Sequence, residues 1–175
     1  MPPRKKVHLH AGDYCFGEAN LELHTLLGSC VSVTLWHPEL KIGGMCHFAL
    51  PVRKDEPGDK LNPRYGSDCF GLFQRSVARY QIPLSEFEAK IFGGGNILNN
   101  TSSKAFASVQ KTPVGDKNVQ VAFEFLMANN IEMKVAHVGE SGYRKIIFDV
   151  ASGDVWVKFT PVENVGDQNS LTGKT

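Results

Sequence analysis

The run Ser29-Cys30-Val31-Ser32-Val33-Thr34-Leu35-Trp36 alternates without a break, and a proline follows at position 38. Val31, Val33 and Leu35 fall on one face of an extended chain. Cys30, Ser32, Thr34 and Trp36 fall on the other, which is the period of a strand. Pro38 suits the second position of a turn. The next run, Gly43 to Leu50, puts Met45, His47 and Ala49 on one face of a second strand. An antiparallel hairpin built this way has few registers. A tight turn centred between Pro38 and Glu39 sets Cys30 directly opposite His47. A loop of Pro38 to Lys41 sets His47 opposite Ser32, one diagonal step from Cys30 on the same face. Either register brings the two Cβ atoms to within ~4.5–8 Å. An odd loop, or a bulge at Gly43-Gly44, separates them. The same parity turns Cys46 away from His47, toward the core.

The rest of the chain reads as alternating short strands with a few helices. Lys6 to Phe16 alternates weakly and predicts a first strand ending near Gly12. Pro51 to Gly66 is charged, carries three prolines and predicts a mobile surface loop. Phe70, Phe73, Val77 and Tyr80 recur at helical spacing behind Ser67 or Asp68 as cap, and Pro83 ends that helix. Phe87 to Gly95 reads as a strand running into three glycines, followed by a loop to Gly115. A second helix is predicted from Asp116 as cap, with Val119, Ala122, Phe123 and Leu126 as its apolar stripe. Ile131 to Gly139 is a strand, and Tyr143 to Phe159 is a hairpin turned at Ser152-Gly153-Asp154. The pattern predicts one α+β domain over 1–160, with two or three helices packed on mixed or antiparallel sheets, and a polar, flexible tail over 161–175.

A chain of 175 residues with 42% hydrophobic content can bury a sizeable core. With a formal net charge of +1 it carries no global field to recruit nucleic acid or anionic lipid. The basic run Arg4-Lys5-Lys6 reads as a solvated arm. No apolar run reaches the ~18 residues of a membrane span, and no apolar segment follows the basic N-terminus as a secretion signal requires. Cys15, Cys30, Cys46 and Cys69 form no CxxC pair, so they predict reduced thiols in a cytoplasm rather than a zinc ribbon or a disulfide scaffold. His8 and His10 with His24 or His37 lack a metal-binding spacing, and Gly93-Gly94-Gly95 lacks the Lys-Ser/Thr ending of a phosphate loop. The expectation is no metal and no cofactor, with the triple glycine serving a tight turn.

A thiol beside an imidazole has a definite chemistry. The imidazole takes the proton, and the thiolate attacks an amide or ester carbonyl to form a thioester. Backbone N–H groups at Gly28-Ser29-Cys30 could hold the oxyanion. A strand cysteine is more often a small buried hydrophobe, so parity alone ranks such a pair low.

The run Thr25-Leu26-Leu27-Gly28-Ser29-Cys30 through Pro38, followed by Gly43-Gly44-Met45-Cys46-His47, resembles the signature of the CheD-type chemoreceptor glutamine deamidases. The likeness continues at RYGSDCFGLF, KIFGGGNIL, VGDKNVQVAFEFL and GYRKIIFDVASGDVWVKF, and spans roughly Val7 to Phe159. It implies a layered α/β/β fold related to deamidating bacterial toxins. It also implies a cytoplasmic chemotaxis enzyme that hydrolyses selected glutamine side chains of methyl-accepting receptors to glutamate and ammonia. By the resemblance Cys30 is the nucleophile, His47 the general base and acid, and Thr25 the third member; a one-residue offset brings His24 to that place instead. Some members bind a CheC-type phosphatase. Family members often carry asparagine where Cys46 stands here. Receptor signalling domains are long helical coiled coils, and each deamidation adds one negative charge to a helix surface, where like charges one turn apart repel.

Two other readings share these residues. A non-catalytic adaptor of the same fold would bind a phosphatase or receptor and leave the dyad idle. A transglutaminase or thiol hydrolase would use the same acyl-enzyme with another attacking or leaving group.

Overall fold

The computed structural model describes residues 3–55, 58, 60–97 and 112–162. The tail expected over 161–175 therefore lies outside the described residues from 163 onward, as does most of the loop expected before Gly115. Among the described residues nine strands form two sheets. In chain order they are β1 (Lys5–Leu9), β2 (Tyr14–Gly17), β3 (Leu21–Leu27), β4 (Val31–His37), β5 (Ile42–Cys46), β6 (Glu88–Gly93), β7 (Glu132–Val138), β8 (Gly142–Asp149) and β9 (Val155–Pro161). Helix α1 (Gly66–Ala78) lies between β5 and β6, and α2 (Val114–Ala128) between β6 and β7.

One sheet has the order β1-β3-β8-β9 and the other β2-β5-β4-β6-β7. Both are mixed: β1 runs parallel to β3 and β6 parallel to β7, the other pairs being antiparallel. Two cores result. Val31, Val33 and Leu35 of β4 pack against Phe73 of α1 and Phe125 of α2. Leu23 and Leu27 of β3 meet Met45, Phe92, Ile146 and Phe148 between the sheets. The layers are therefore helices, five-stranded sheet, four-stranded sheet, which is the expected α/β/β arrangement.

Four readings of the sequence need correction. The single first strand is two, β1 and β2, in different sheets; the chain turns between them at Gly12, whose φ is +89°. The basic run is exposed as expected but is no free arm: Lys5 and Lys6 belong to β1, and Arg4 pairs with Asp149 at 2.9 Å. Strand β3 went unread, although Leu21, Leu23, Thr25 and Leu27 alternate inward. Both helices also start earlier than their expected caps. α1 follows Tyr65, while Asp68 accepts the Asn62 N–H at 2.8 Å; α2 follows Pro113, leaving Asp116 in the first turn, where it complements the helix dipole. The α1 stripe holds for Phe70, Phe73 and Val77, but Tyr80 lies past the helix end and is exposed.

Candidate active site

The chain leaves β3 in one sheet and enters β4 in the other through Gly28, Ser29 and Cys30. Every carbonyl of this crossover is tied from behind. Gly28 O accepts from Gly95 N–H at 2.9 Å and Cys30 O from Gly94 N–H at 2.9 Å, while Ser29 O accepts from the Asn118 side chain at 3.2 Å. No backbone carbonyl among the described residues takes the N–H of Ser29 or Cys30. The triple glycine is thus a buttress for the crossover. A Cβ on Gly93 would lie 2.2 Å from Cys30 O, and Gly93 and Gly94 have φ of +106° and +64°, so only glycine fits both the space and the backbone there. Asn118, fully buried on α2, also donates to Ala49 O at 3.0 Å and so joins the Cys30 crossover to the chain just past His47.

His47 follows directly on β5. The hairpin has the four-residue loop, Pro38 to Lys41: His37 pairs with Ile42, Leu35 with Gly44, and a bridge joins Val31 to Phe48. His47 is therefore level with Ser32 and one diagonal step from Cys30. Its backbone is fixed by Gly12 N–H donating to its carbonyl at 2.8 Å and by its own N–H donating to Asp13 O at 3.1 Å. Thr25 approaches from the other sheet. Its hydroxyl donates to Leu9 O at 2.8 Å and stands 2.7 Å from His47 Nδ1. A threonine hydroxyl has one proton. With that proton on Leu9 O, the Thr25 oxygen accepts from Nδ1–H, and the imidazole carries its free lone pair on Nε2. Thr25 and His47 are both buried, at 6% and 4% exposure.

Cys30, His47 and Thr25 line one cleft of about 830 Å³. Its wall continues through His10, Ala11, Gly28 and Leu26. Burial sets the charge state of both reactive groups. It pushes the Cys30 thiol up, against the opposing pull of its own N–H and of the Arg64 guanidinium. It pushes the His47 imidazole down to about 4, with Asp13 opposing and His10 adding to the effect. Both shifts run against the resting ion pair expected from adjacency alone and favour the neutral thiol and the neutral imidazole.

His24 is on the opposite face of β3 from Thr25. Its Nε2 lies 2.6 Å from Glu22, its ring centroid 4.8 Å from that of His8, and it reaches only the outer wall of the cleft. Cys46 is fully buried in the helix-side core, its thiol directed at Val33 O at 3.8 Å, so the replacement of asparagine there does not reach the cleft. Pro51, Val52 and Tyr65 line a separate depression with Val114 and Lys117. Asn118, Arg64 and the buttressing role of Gly93–Gly95 had no sequence signal as functional residues, because each acts on a partner remote in the chain.

Comparison with known proteins gives the family. The profile described as "CheD chemotactic sensory transduction" matches residues 49–159, a span that begins just after His47. The chain is 47% identical over 154 residues to "Probable chemoreceptor glutamine deamidase CheD 3" of Dechloromonas aromatica, covering 88% of this chain and 87% of that protein. It is 38% identical over 157 residues to "Probable chemoreceptor glutamine deamidase CheD 1" of Chromobacterium violaceum, covering 90% and 79%. Among solved structures, the Bacillus licheniformis hypothetical protein YfiH aligns with a TM-score of 0.40 and 14% identity over 72% of this chain and 50% of that one, too remote a likeness to bear on function. With close to half its residues shared with the first of these relatives across nearly the full length of both, the chain belongs to the CheD family.

Proposed function

We propose that this protein is a chemoreceptor glutamine deamidase, with Cys30 as nucleophile, His47 as general base and acid, and Thr25 holding the imidazole. The observation that carries the reading is the chain Leu9 O, Thr25 Oγ1, His47 Nδ1, which ends in a cleft shared with Cys30. Such a chain selects the tautomer with Nε2 free, which is the one a base needs. When the glutamine amide enters, the Cys30 proton passes to His47 Nε2 and the sulfur attacks the amide carbon. The Ser29 and Cys30 N–H groups, which have no backbone acceptor among the described residues, serve the developing oxyanion. His47 then returns the proton to the leaving nitrogen, ammonia departs, and a thioester remains. A water gives one proton to His47 Nε2 and its oxygen to the acyl carbon. The carbon–sulfur bond breaks, the thiol is restored, and the product is glutamate.

The substrates are glutamines on the cytoplasmic helices of methyl-accepting receptors, and the activity belongs to the cytoplasm. No helix among the described residues is long and apolar enough to cross a membrane. The reading extends to regulation by a CheC-type phosphatase. The test is intact-mass analysis of receptor fragments after incubation: hydrolysis of an amide adds ~1 Da per site with one ammonia released. Amine incorporation or backbone cleavage in place of that gain would assign the dyad to another acyl transfer, and an unchanged mass would leave an adaptor.

A further inference from the structure

The four-stranded sheet has one face on the inter-sheet core and one face outward. On the outward face Leu26, Lys145 and Lys158 are directly paired across β3, β8 and β9. His24, Ile147 and Trp156 form the neighbouring row. Leu26 is 65% exposed and Trp156 55%, so this face offers apolar surface beside its lysines. Lys145 and Lys158 stand directly opposite each other, an arrangement that destabilises a strand pair. Neither has an ion-pair partner among the described residues. The acids of this face, Glu22 and Asp149, lie further down the strands and are engaged by Arg4 and His24. Among the described residues, strand β1 pairs with β3 only as far as Leu9 against Thr25, and no strand pairs with β3 beyond that point on this side. The row Lys158–Lys145–Leu26 ends at that stretch of β3, and Lys145 and Leu26 themselves line the cleft that holds Cys30.

We propose that this outer face is the docking track of an acidic substrate helix, and that Lys145 and Lys158 select glutamines with carboxylates one and two turns away on the same helix face. The inference rests on the deamidase reading of the cleft and adds its specificity. The spacing fits: neighbouring strands are ~4.8 Å apart, and one α-helical turn rises ~5.4 Å. A helix crossing the strands therefore presents successive turns to Lys158, Lys145 and Leu26, with the target glutamine turned over the β3 edge into the cleft. Leu26 and Trp156 supply the apolar contact that such a helix needs.

The test uses the full chain with Cys30→Ala, which leaves the track intact, and fluorescein-labelled helical peptides holding one glutamine. One peptide carries glutamates four and seven residues from it on the same face, the other serines. Anisotropy at low salt should show the acidic peptide bound about tenfold more tightly. That preference should disappear in Lys145→Met/Lys158→Met. In Lys145→Glu/Lys158→Glu it should reverse toward a lysine-flanked peptide, an outcome that misfolding cannot produce. Equal affinity for the two peptides, no binding of either, or a self-association abolished by the lysine variants overturns the proposal. Ammonia release by the Cys30 protein is measured separately, so a failed track and a failed deamidase reading give different results.

Discussion

The two sheets of this protein solve different problems. The five-stranded sheet is covered on both faces at its centre, by helices on one side and by the other sheet on the second: β4 and β5 are buried at nearly every position, and only the edge strand β7 is exposed along most of its length. The four-stranded sheet is covered on one face only, so β3 alternates buried and half-exposed residues and β9 leaves Trp156, Lys158 and Thr160 outward. The doubly covered sheet supplies the rigid side of the cleft, Cys30 and His47. The half-covered sheet supplies Thr25 from its inner face and a recognition surface from its outer one. A reactive pair needs fixed geometry, which dense packing provides. A protein substrate needs an accessible face, which dense packing denies.

The sharpest way to break this division is through the cysteines of the covered sheet. Cys30→Ala should abolish ammonia release and leave the circular dichroism spectrum unchanged. Cys46→Ala should keep turnover while lowering stability by about 1 kcal/mol, since it trims a buried side chain in the helix-side core. A folded but inactive Cys46→Ala protein would show that the two faces of β5 are not independent.

Next in size is His47→Ala, for which kcat should fall by ~10²-fold or more, as for a removed general base. A smaller drop, with ammonia still released by the folded variant, would assign proton transfer to another group in the cleft.

The contribution of the half-covered sheet to the chemistry is smaller. Thr25→Val keeps the shape and removes one hydrogen bond, so kcat should fall about threefold to tenfold. Thr25→Ser should recover most of the loss. If Thr25→Val is fully active while His24→Ala is not, the positioning role passes to the outer face of β3.

A pH profile tests the burial of His47. Its imidazole is held at about 4, below the ordinary 6.5, so the base stays unprotonated well into acid. The acid limb of kcat/KM should therefore lie below pH 6.5 and approach 4. The same shift enters stability. The unfolded chain takes up the proton first, so the contribution is complete above pH 6.5 and is lost as pH falls through 4. Its size is on the order of 3 kcal/mol. Urea midpoints measured across that window should fall for the native protein and fall less for His47→Gln.

The smallest effect is expected outside. Trp156→Ala should change stability by less than about 0.5 kcal/mol, because the indole faces solvent. It should nonetheless weaken receptor binding. A large loss of stability would mean that the outer face is part of the fold rather than a surface held ready for a partner.

What the sequence determined by itself is local. The unbroken alternation from Ser29 to Trp36 and the proline after it set which face each residue of β4 and β5 takes, and so put Cys46 on the face opposite His47; that Cys30 and His47 share a face depended on the even loop that the structure shows. Helical spacing located α1 and α2, and Gly153 marked the turn between β8 and β9. These are properties of neighbouring residues along one chain, where a period of two or of 3.6 fixes direction. Pairing between remote strands has no such signal. That β1 lies parallel to β3, that Leu9 O captures the Thr25 proton and that Arg4 meets Asp149 depend on which edges find each other once both cores close. The same holds for Asn118, a polar residue on the buried face of α2 that is intelligible only beside the carbonyls of Ser29 and Ala49. Periodicity tells a side chain which way to point; only the packed layers decide what it points at.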